Sequence, residues 1–220
     1  MERNQELDQA AAGTAGRPSL ITELVLATGN RHKVEEIGIM LKDLGIRVRS
    51  LAEFPGAPEV VEDGTTYEEN ALKKARAAAA FTGRPALADD TGLEVDALDG
   101  RPGLYAARFA GEGCSFEDNI TKLLGLLKGI PEDQRGARFV CVLALVTPEG
   151  REEVVKGELL GRITEARSGA GGFGYDPVFL ATETAATLAE LRPDEKNRIS
   201  HRRRAVDKVR ELLRRETIGA

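Results

Sequence analysis

The sequence predicts a single α/β unit built around a mixed sheet. Segments with the apolar pattern of strands alternate with segments whose apolar residues recur at helical spacing. The run at residues 138–147 is nearly all apolar from Phe139 onward, which indicates a central strand covered on both faces. Residues 152–163 are predicted to be its hairpin partner, so the sheet gains an antiparallel component.

The elements before this hairpin are predicted from local spacing and from helix-end signals. In order, they are a buried strand at 23–28, a helix at 33–44, a strand at 46–49, a helix at 66–81, a short strand at 85–88 and a helix that starts after residue 115. Gly45 and Gly83 are predicted to end two of these helices. Thr66 and Ser115 are each followed three residues later by an acid, which is the pattern of a capping box.

The elements after the hairpin are fewer. A glycine-rich stretch at 169–174 precedes an apolar segment at 175–180, and a last helix is predicted from about Ser200. We expect residues 1–19, which are polar and rich in alanine and glycine, to be a disordered extension, and residues 20–217 to form one domain.

Composition narrows the class of protein. The net charge of −5 argues against a general nucleic-acid binder, because such proteins carry an excess of Lys and Arg for phosphate contacts. No apolar run approaches the roughly 20 residues that span a bilayer, so no membrane association is expected. Cys114 and Cys141 show neither metal-ligand spacing nor a disulfide framework, which favours the cytoplasm.

The turn between the first strand and the first helix is unusually basic. Cations in a first helical turn oppose the helix dipole, at about 0.3–1 kcal/mol each, whereas a bound anion reverses the sign of that effect. The alternative is a solvated turn in which Lys33 extends toward water. The candidate phosphate-binding residues are Thr28, Gly29, Asn30, Arg31, His32 and Lys33.

The last helix begins with the same inverted charge pattern. Ser200 is a natural N-cap, and the basic run that follows it is His201 to Arg204, with Lys196 just upstream. Placed among cations, His201 is expected to be neutral near pH 7 and able to hydrogen-bond a ligand, although it could equally be a structural histidine. Arg203 and Arg204 could be no more than a solvated face.

Two acids and a hydroxyl, Asp89, Asp90 and Thr91, follow the predicted strand at 85–88. The end of a strand is where α/β sheets collect ligands, and adjacent acids after an apolar strand are costly unless they are paired or bind a cation. Mg²⁺ suits carboxylate oxygens and could bridge them to phosphates. The alternative is that either acid caps a turn. Glu62 and Asp63 form a second acidic point before a helix.

Five segments, taken in order, resemble the inosine/xanthosine triphosphate pyrophosphatases. They are Leu26-Ala27-Thr28-Gly29-Asn30 with Lys33, Ala88-Asp89-Asp90-Thr91-Gly92-Leu93, Gly100-Arg101-Pro102-Gly103 with Ala107-Arg108, Phe173-Gly174-Tyr175-Asp176-Pro177, and Lys196 with Ile199-Ser200-His201-Arg202. The resemblance implies an elongated mixed sheet flanked by helices, with two lobes and an active site in the cleft between them. It also implies a homodimer that uses Mg²⁺ to cleave dITP, ITP and XTP to the monophosphate and pyrophosphate.

The resemblance also implies roles for individual residues. Asp90 becomes a metal ligand and the catalytic proton acceptor, Glu62 the second metal ligand, and Thr91 a substrate contact. Phe173 becomes the ring that stacks on the purine. The remaining residues implied at the nucleotide pocket are Gly174, Tyr175, Asp176, Lys196, His201 and Arg202.

This chain departs from the family pattern in two places. Val61-Glu62 stands where the family often has two consecutive acids, which leaves the second metal ligand open between Glu62, Asp89 and others. Thr91 replaces a common serine and keeps its hydroxyl. The rival functions are a related pyrophosphatase for other modified or pyrimidine nucleotides, a nucleotide sensor without catalysis, and a nucleic-acid module that uses residues 202–204.

Overall fold

The computed structural model of the protein describes residues 21–218, and the predicted extension at 1–19 lies outside them. Within the described part, the strands are β1 (Glu23–Leu26), β2 (Arg47–Ser50), β3 (Ala86–Val95), β4 (Pro102–Gly103), β5 (Gly136–Val146), β6 (Glu152–Ile163) and β7 (Phe179–Ala181). The α-helices are α1 (Arg31–Leu41), α2 (Tyr67–Thr82), α3 (Phe116–Leu126), α4 (Pro193–Ile199) and α5 (His201–Ile218).

All the strands belong to one mixed sheet, as predicted. The strand order is β2-β1-β3-β5-β6-β7, and β4 pairs with β3 outside this path. The pairs of β1 with β2 and with β3 are parallel, whereas β3, β5, β6 and β7 are joined by antiparallel pairs. The predicted hairpin at 138–147 and 152–163 is therefore confirmed as β5 and β6.

Side-chain hydrogen bonds cap the predicted helices, although α1 begins at Arg31, two residues before the predicted start. The Asn30 side chain accepts from the backbone N–H groups of His32 and Lys33, and the Ser115 side chain accepts from the N–H of Asp118 in a full capping box. At α2 the box is incomplete, because the carboxylate of Glu69 accepts from the N–H of Thr65, one residue before the N-cap.

The predicted strand at 85–88 was too short. β3 continues through both acids to Val95, because β5 pairs with it from Ala86 to Val95 and keeps the backbone extended. The acids therefore lie inside a strand and not at its end. Since successive side chains of a strand point to opposite faces, Asp89 and Asp90 face opposite sides of the sheet.

Helices cover both faces of the sheet. On one face, α1 and α5 pack on Leu87, Leu143 and Leu145, and on the other face α2 packs on alternate residues of the same strands. A third apolar cluster, formed by α3, β7 and the far ends of β3, β5 and β6, lies at the other end of the sheet. The long strands β3, β5 and β6 therefore contribute to apolar clusters at both ends of the sheet.

Gly157 of β6 brings α5 close to the sheet. A Cβ atom at this position would lie 2.2 Å from the carbonyl oxygen of His201 and 2.4 Å from the backbone nitrogen of Ala205. No L-residue with a side chain fits there unless the helix moves. The first turn of α5, which carries His201 and Arg202, therefore has its position set by the missing side chain of Gly157.

Gly157→Ala should lower the free energy of unfolding by about 1–3 kcal/mol, as expected for overpacking. The matched control is Gly38→Ala in α1, where a Cβ meets nothing within 4 Å and helix propensity should add up to about 1 kcal/mol. Urea unfolding of both variants measures the difference. Equal stabilities would show that α5 does not depend on this close approach.

Candidate active site

One cavity of about 840 Å³ collects most of the predicted site residues. Those that line it are Thr28, Gly29, Asn30, Lys33, Glu62, Asp90, Thr91, Phe173, Gly174, Tyr175, Asp176, Lys196, His201 and Arg202. Among the described residues, Arg31 and His32 are predicted site residues that do not line it. The lining segments come from the starts of α1 and α5, from β3, from the loop at 51–60 and from the glycine-rich loop before β7.

Asp89 is the buried anion on the α1 and α5 face of β3. Its carboxylate accepts from Arg202 Nε at 2.8 Å and from Thr91 Oγ1 at 2.7 Å, and it also pairs with the ammonium group of Lys33. Burial alone would raise the pKa of Asp89, but the charges of Arg202 and Lys33 outweigh it and hold that pKa well below the ordinary value. Asp89 is therefore a permanent counter-ion.

Glu36 of α1 is a second anion on this face of the sheet, and it was not predicted from the sequence. It accepts from Arg202 Nη1 at 2.5 Å and from Lys196 Nζ at 3.0 Å. Lys196 Nζ also donates to Asp176 Oδ2 at 2.7 Å. Arg202 and Lys196 are thus buried and neutralised, and the implied place of Arg202 at the nucleotide pocket stays a prediction.

Asp90 faces the other side of the sheet, toward α2. Lys74 Nζ lies 3.0 Å from Asp90 Oδ1, 2.8 Å from Glu62 Oε2 and 2.9 Å from the carbonyl oxygen of Asp89. Lys74 was also missed from the sequence. Its signal was present, because it stands between Ala71 and Ala78 on the face of α2 that packs against the sheet.

The proton affinity of Asp90 differs from that of Asp89. Burial raises the pKa of Asp90 to about 6, and the neighbouring Glu62 adds to the increase despite the opposing charge of Lys74. Burial also acts to raise the pKa of Glu62, but the hydrogen bond from Lys74 outweighs it and the pKa of Glu62 lies below its ordinary value. Of these two acids, Asp90 is the one that takes up a proton near neutral pH.

The α1 turn differs in detail from the predicted phosphate site. The N–H groups of His32 and Lys33 are capped by Asn30 Oδ1, and the N–H of Asn30 donates to Thr28 Oγ1 at 3.1 Å. These N–H groups are not free for an anion, since side chains already satisfy them. A phosphate at this turn would mainly meet the Lys33 ammonium, which it would share with Asp89.

The comparison with known proteins now identifies the fold family. The model of the Ham1 family matches residues 24–212. The chain belongs to the Ham1 family. Among curated relatives, the dITP/XTP pyrophosphatase of Desulforamulus reducens is 54% identical over 193 residues, which are 88% of this chain and 96% of that protein. The dITP/XTP pyrophosphatase of Geobacter sulfurreducens is 51% identical over 193 residues, covering 88% and 97% of the two chains.

Solved structures of Ham1 proteins share the architecture. The Ham1 protein of Staphylococcus aureus has a TM-score of 0.80 at 40% identity and covers 88% of this chain and 99% of its own. The HAM1 protein of Coxiella burnetii has a TM-score of 0.81 at 40% identity, with coverages of 88% and 98%. The predicted mixed sheet flanked by helices is thus confirmed. No helix in the described part of the chain is long and apolar enough to cross a membrane.

The donor set of this Ham1-family cavity fits a magnesium ion. The Lys74 ammonium marks a point on which the carboxylates of Glu62 and Asp90 converge. Among residues 21–218, no group of three or more Asp, Glu, His or Cys side chains could hold a metal. Two carboxylates nevertheless suffice for Mg²⁺, which keeps several waters and takes further oxygens from substrate phosphates.

His201 and Tyr175 also line the cavity. Among the described residues, neither ring nitrogen of the buried His201 has a hydrogen-bond partner. Burial and the charge of Arg202 hold its pKa well below the ordinary value, so the ring is neutral as predicted. The Tyr175 hydroxyl donates to the carbonyl oxygen of Ala106 at 2.8 Å, which fixes that ring in place.

Arg203 and Arg204 match their solvated-face alternative. Arg203 pairs with Asp207, Arg204 pairs with Glu183, and within the described chain neither arginine lines the cavity. Both partners are acids near the protein surface, with side chains about half exposed at 47% and 48%.

Lys74→Met should tighten Mg²⁺ binding to the nucleotide-free protein at pH 8 by about threefold to tenfold, because it removes a cation that competes for both carboxylates. The matched control is Lys73→Met. It removes the neighbouring cation of α2, which pairs with the exposed Asp63 outside the helix. Isothermal titration calorimetry measures both affinities. Weaker binding by Lys74→Met than by the control would contradict the competition.

Proposed function

We propose that this chain hydrolyses the non-standard purine triphosphates dITP, ITP and XTP to the monophosphate and pyrophosphate, and so removes damaged purines from the nucleotide pool. The observation that carries the proposal is Asp90, an acid with a pKa of about 6 that converges with Glu62 on one cation position in the cavity. Relatives about 50% identical over most of the chain are named dITP/XTP pyrophosphatases, which supports the substrate class.

Asp90 is the proposed proton acceptor. Above pH 6 it is largely ionised, and a general base is most effective when its pKa lies near the working pH. It accepts a proton from the water that attacks the α-phosphorus, and the bond from the α-phosphorus to its bridging oxygen breaks to release pyrophosphate. Without a bound metal ion, the Lys74 ammonium holds the Asp90 carboxylate in place.

Metal dependence follows from the same pair of acids. We propose Mg²⁺ as the ion, with Glu62 and Asp90 as its protein ligands. When bound, Mg²⁺ supplies charge neutralisation for the phosphate oxygens. Lys33 lines the cavity together with Thr28 and Asn30 of the same turn, and we assign it the binding of the departing pyrophosphate.

We propose that the purine binds beside Phe173 and His201, which both line the cavity. A neutral imidazole offers one donor and one acceptor, so the unpartnered nitrogens of His201 suit the polar edge of a base. The nearby cations Lys196 and Arg202 can only donate. Donors favour the 6-keto oxygen of hypoxanthine or xanthine over the 6-amino group of adenine, since that group is itself a donor.

We also propose that residues 20–217 form one domain. Within the described residues, β3, β5 and β6 contribute to the apolar clusters at both ends of the sheet, which supports a single folding unit. The resemblance to the pyrophosphatase family supports a homodimer. The cytoplasm is the proposed location, on the basis of cysteine usage and of a substrate drawn from the nucleotide pool.

The test is pyrophosphate release from a panel of inosine, xanthosine, guanosine and adenosine triphosphates with Mg²⁺. We expect the inosine and xanthosine compounds to be cleaved at least 100-fold more efficiently than adenosine triphosphate, as judged by kcat/KM. Release of orthophosphate in place of pyrophosphate would contradict the proposed reaction. Binding without turnover would favour a nucleotide sensor.

Asp90→Asn should lower kcat for inosine triphosphate by at least about 1,000-fold, because it removes both a metal ligand and the proton acceptor. The isosteric control is Asp99→Asn, which changes an exposed turn residue outside the cavity. Steady-state pyrophosphate assays compare the two, and circular dichroism checks the fold. Activity within a few fold of wild type in a folded Asp90→Asn protein would assign the proton transfer elsewhere.

A further inference from the structure

His32 has a contact that the phosphate role predicted for it does not explain. Its imidazole stacks on the ring of Phe173, with the ring centroids 5.3 Å apart and the planes 10° from parallel. His32 lies in the first turn of α1, whereas Phe173 lies in the glycine-rich loop before β7. The stacked pair therefore joins α1 to the glycine-rich loop.

The two rings occupy different places relative to the cavity. Phe173 lines it, whereas His32 is exposed and, among the described residues, is not part of the lining. Lys196 Nζ and Arg202 Cζ, which belong to lining residues, lie 4.6 Å and 5.6 Å from the Phe173 ring centroid. The Phe173 ring thus has cavity cations near it and an imidazole that covers it from outside the cavity.

The main chain around Phe173 is fixed, but that does not fix its ring. The N–H of Phe173 donates to Asp176 Oδ2 at 2.8 Å, which anchors the backbone. Gly172 and Gly174 on either side have φ angles of 70° and 65°, a conformation that favours glycine, and a glycine brings no side chain to pack against the ring. The ring therefore depends on its other neighbours for its orientation.

We propose that His32 is a positioning residue that backs Phe173 and holds its ring ready to stack on the purine. This inference rests on the proposed function, and it replaces the predicted phosphate contact of His32. The base, the Phe173 ring and the His32 ring then form a stack of three, with His32 acting on the substrate through Phe173. A ring that is ordered before binding spares the substrate the cost of ordering it.

We expect His32 to affect the affinity for every purine nucleotide and not the selectivity between them. Stacking depends on the π-face that every base has, so it tolerates changes at the polar edge. A loss of backing should therefore weaken all purine nucleotides by the same factor. It should also leave groups that carry no base, such as pyrophosphate, unaffected.

The experiment compares His32→Ala, His32→Phe and the control Glu35→Ala, which truncates an exposed side chain farther along α1. KM and kcat are measured for inosine and adenosine triphosphates, and isothermal titration calorimetry gives the dissociation constants of inosine and of pyrophosphate. His32→Ala should raise both KM values and the inosine constant by about 2- to 10-fold, with kcat within twofold and the pyrophosphate constant unchanged. His32→Phe should restore the wild-type values, and Glu35→Ala should retain them.

Three results would overturn the proposal. One is an unchanged affinity of His32→Ala for inosine. Another is a weaker affinity of His32→Ala for pyrophosphate, which would indicate that His32 contacts the phosphates. The third is a failure of His32→Phe to restore affinity although the protein melts at the wild-type temperature. The calorimetric dissociation constant of inosine needs no turnover, so it tests His32 even if the wild-type enzyme releases no pyrophosphate.

Discussion

Two adjacent acids in the middle of one strand face opposite sides of the sheet, and the cavity depends on that alternation. Asp89 is buried against Lys33 and Arg202, whereas Asp90 meets Lys74 and Glu62 on the α2 side. The surroundings favour the ionised form of Asp89, whose pKa is lowered, and disfavour the ionised form of Asp90, whose pKa is raised. The first acid holds the cavity together, and the second is available for chemistry.

On the face of the sheet that carries Asp89, buried ions form a chain of alternating charges beside the cavity. It runs through Asp176, Lys196, Glu36, Arg202, Asp89 and Lys33 and joins the loop before β7 to α4, α5, α1 and β3. Burying these ions costs desolvation energy, so the network contributes more to geometry than to net stability. Removing one member leaves its buried partners uncompensated.

Sequence patterns predicted the main elements because apolar period and capping signals are local. They missed α4, whose seven residues are too short to show a helical period, and they ended β3 at the acids because polar residues usually stop a strand. Glu36 was missed because a glutamate in a helix is usually a surface residue, and Lys74 was missed although it lies on the face of α2 that packs against the sheet. Their partners are distant in sequence, and tertiary packing alone brings them together.

The central claim is that Asp89 stabilises the structure whereas Asp90 is available for chemistry. Its most direct test is thermal unfolding of metal-free Asp89→Asn and Asp90→Asn at pH 8. The raised pKa of Asp90 means that its stability contribution, complete below about pH 4, is lost as pH rises through about 6, so Asp90→Asn should melt at or above the wild-type temperature. Asp89→Asn removes the buried anion that Lys33 and Arg202 share, so that only Glu36 still pairs with the buried Arg202, and it should melt roughly 10 °C lower. Equal losses in both variants, or a stable Asp89→Asn, would contradict that claim.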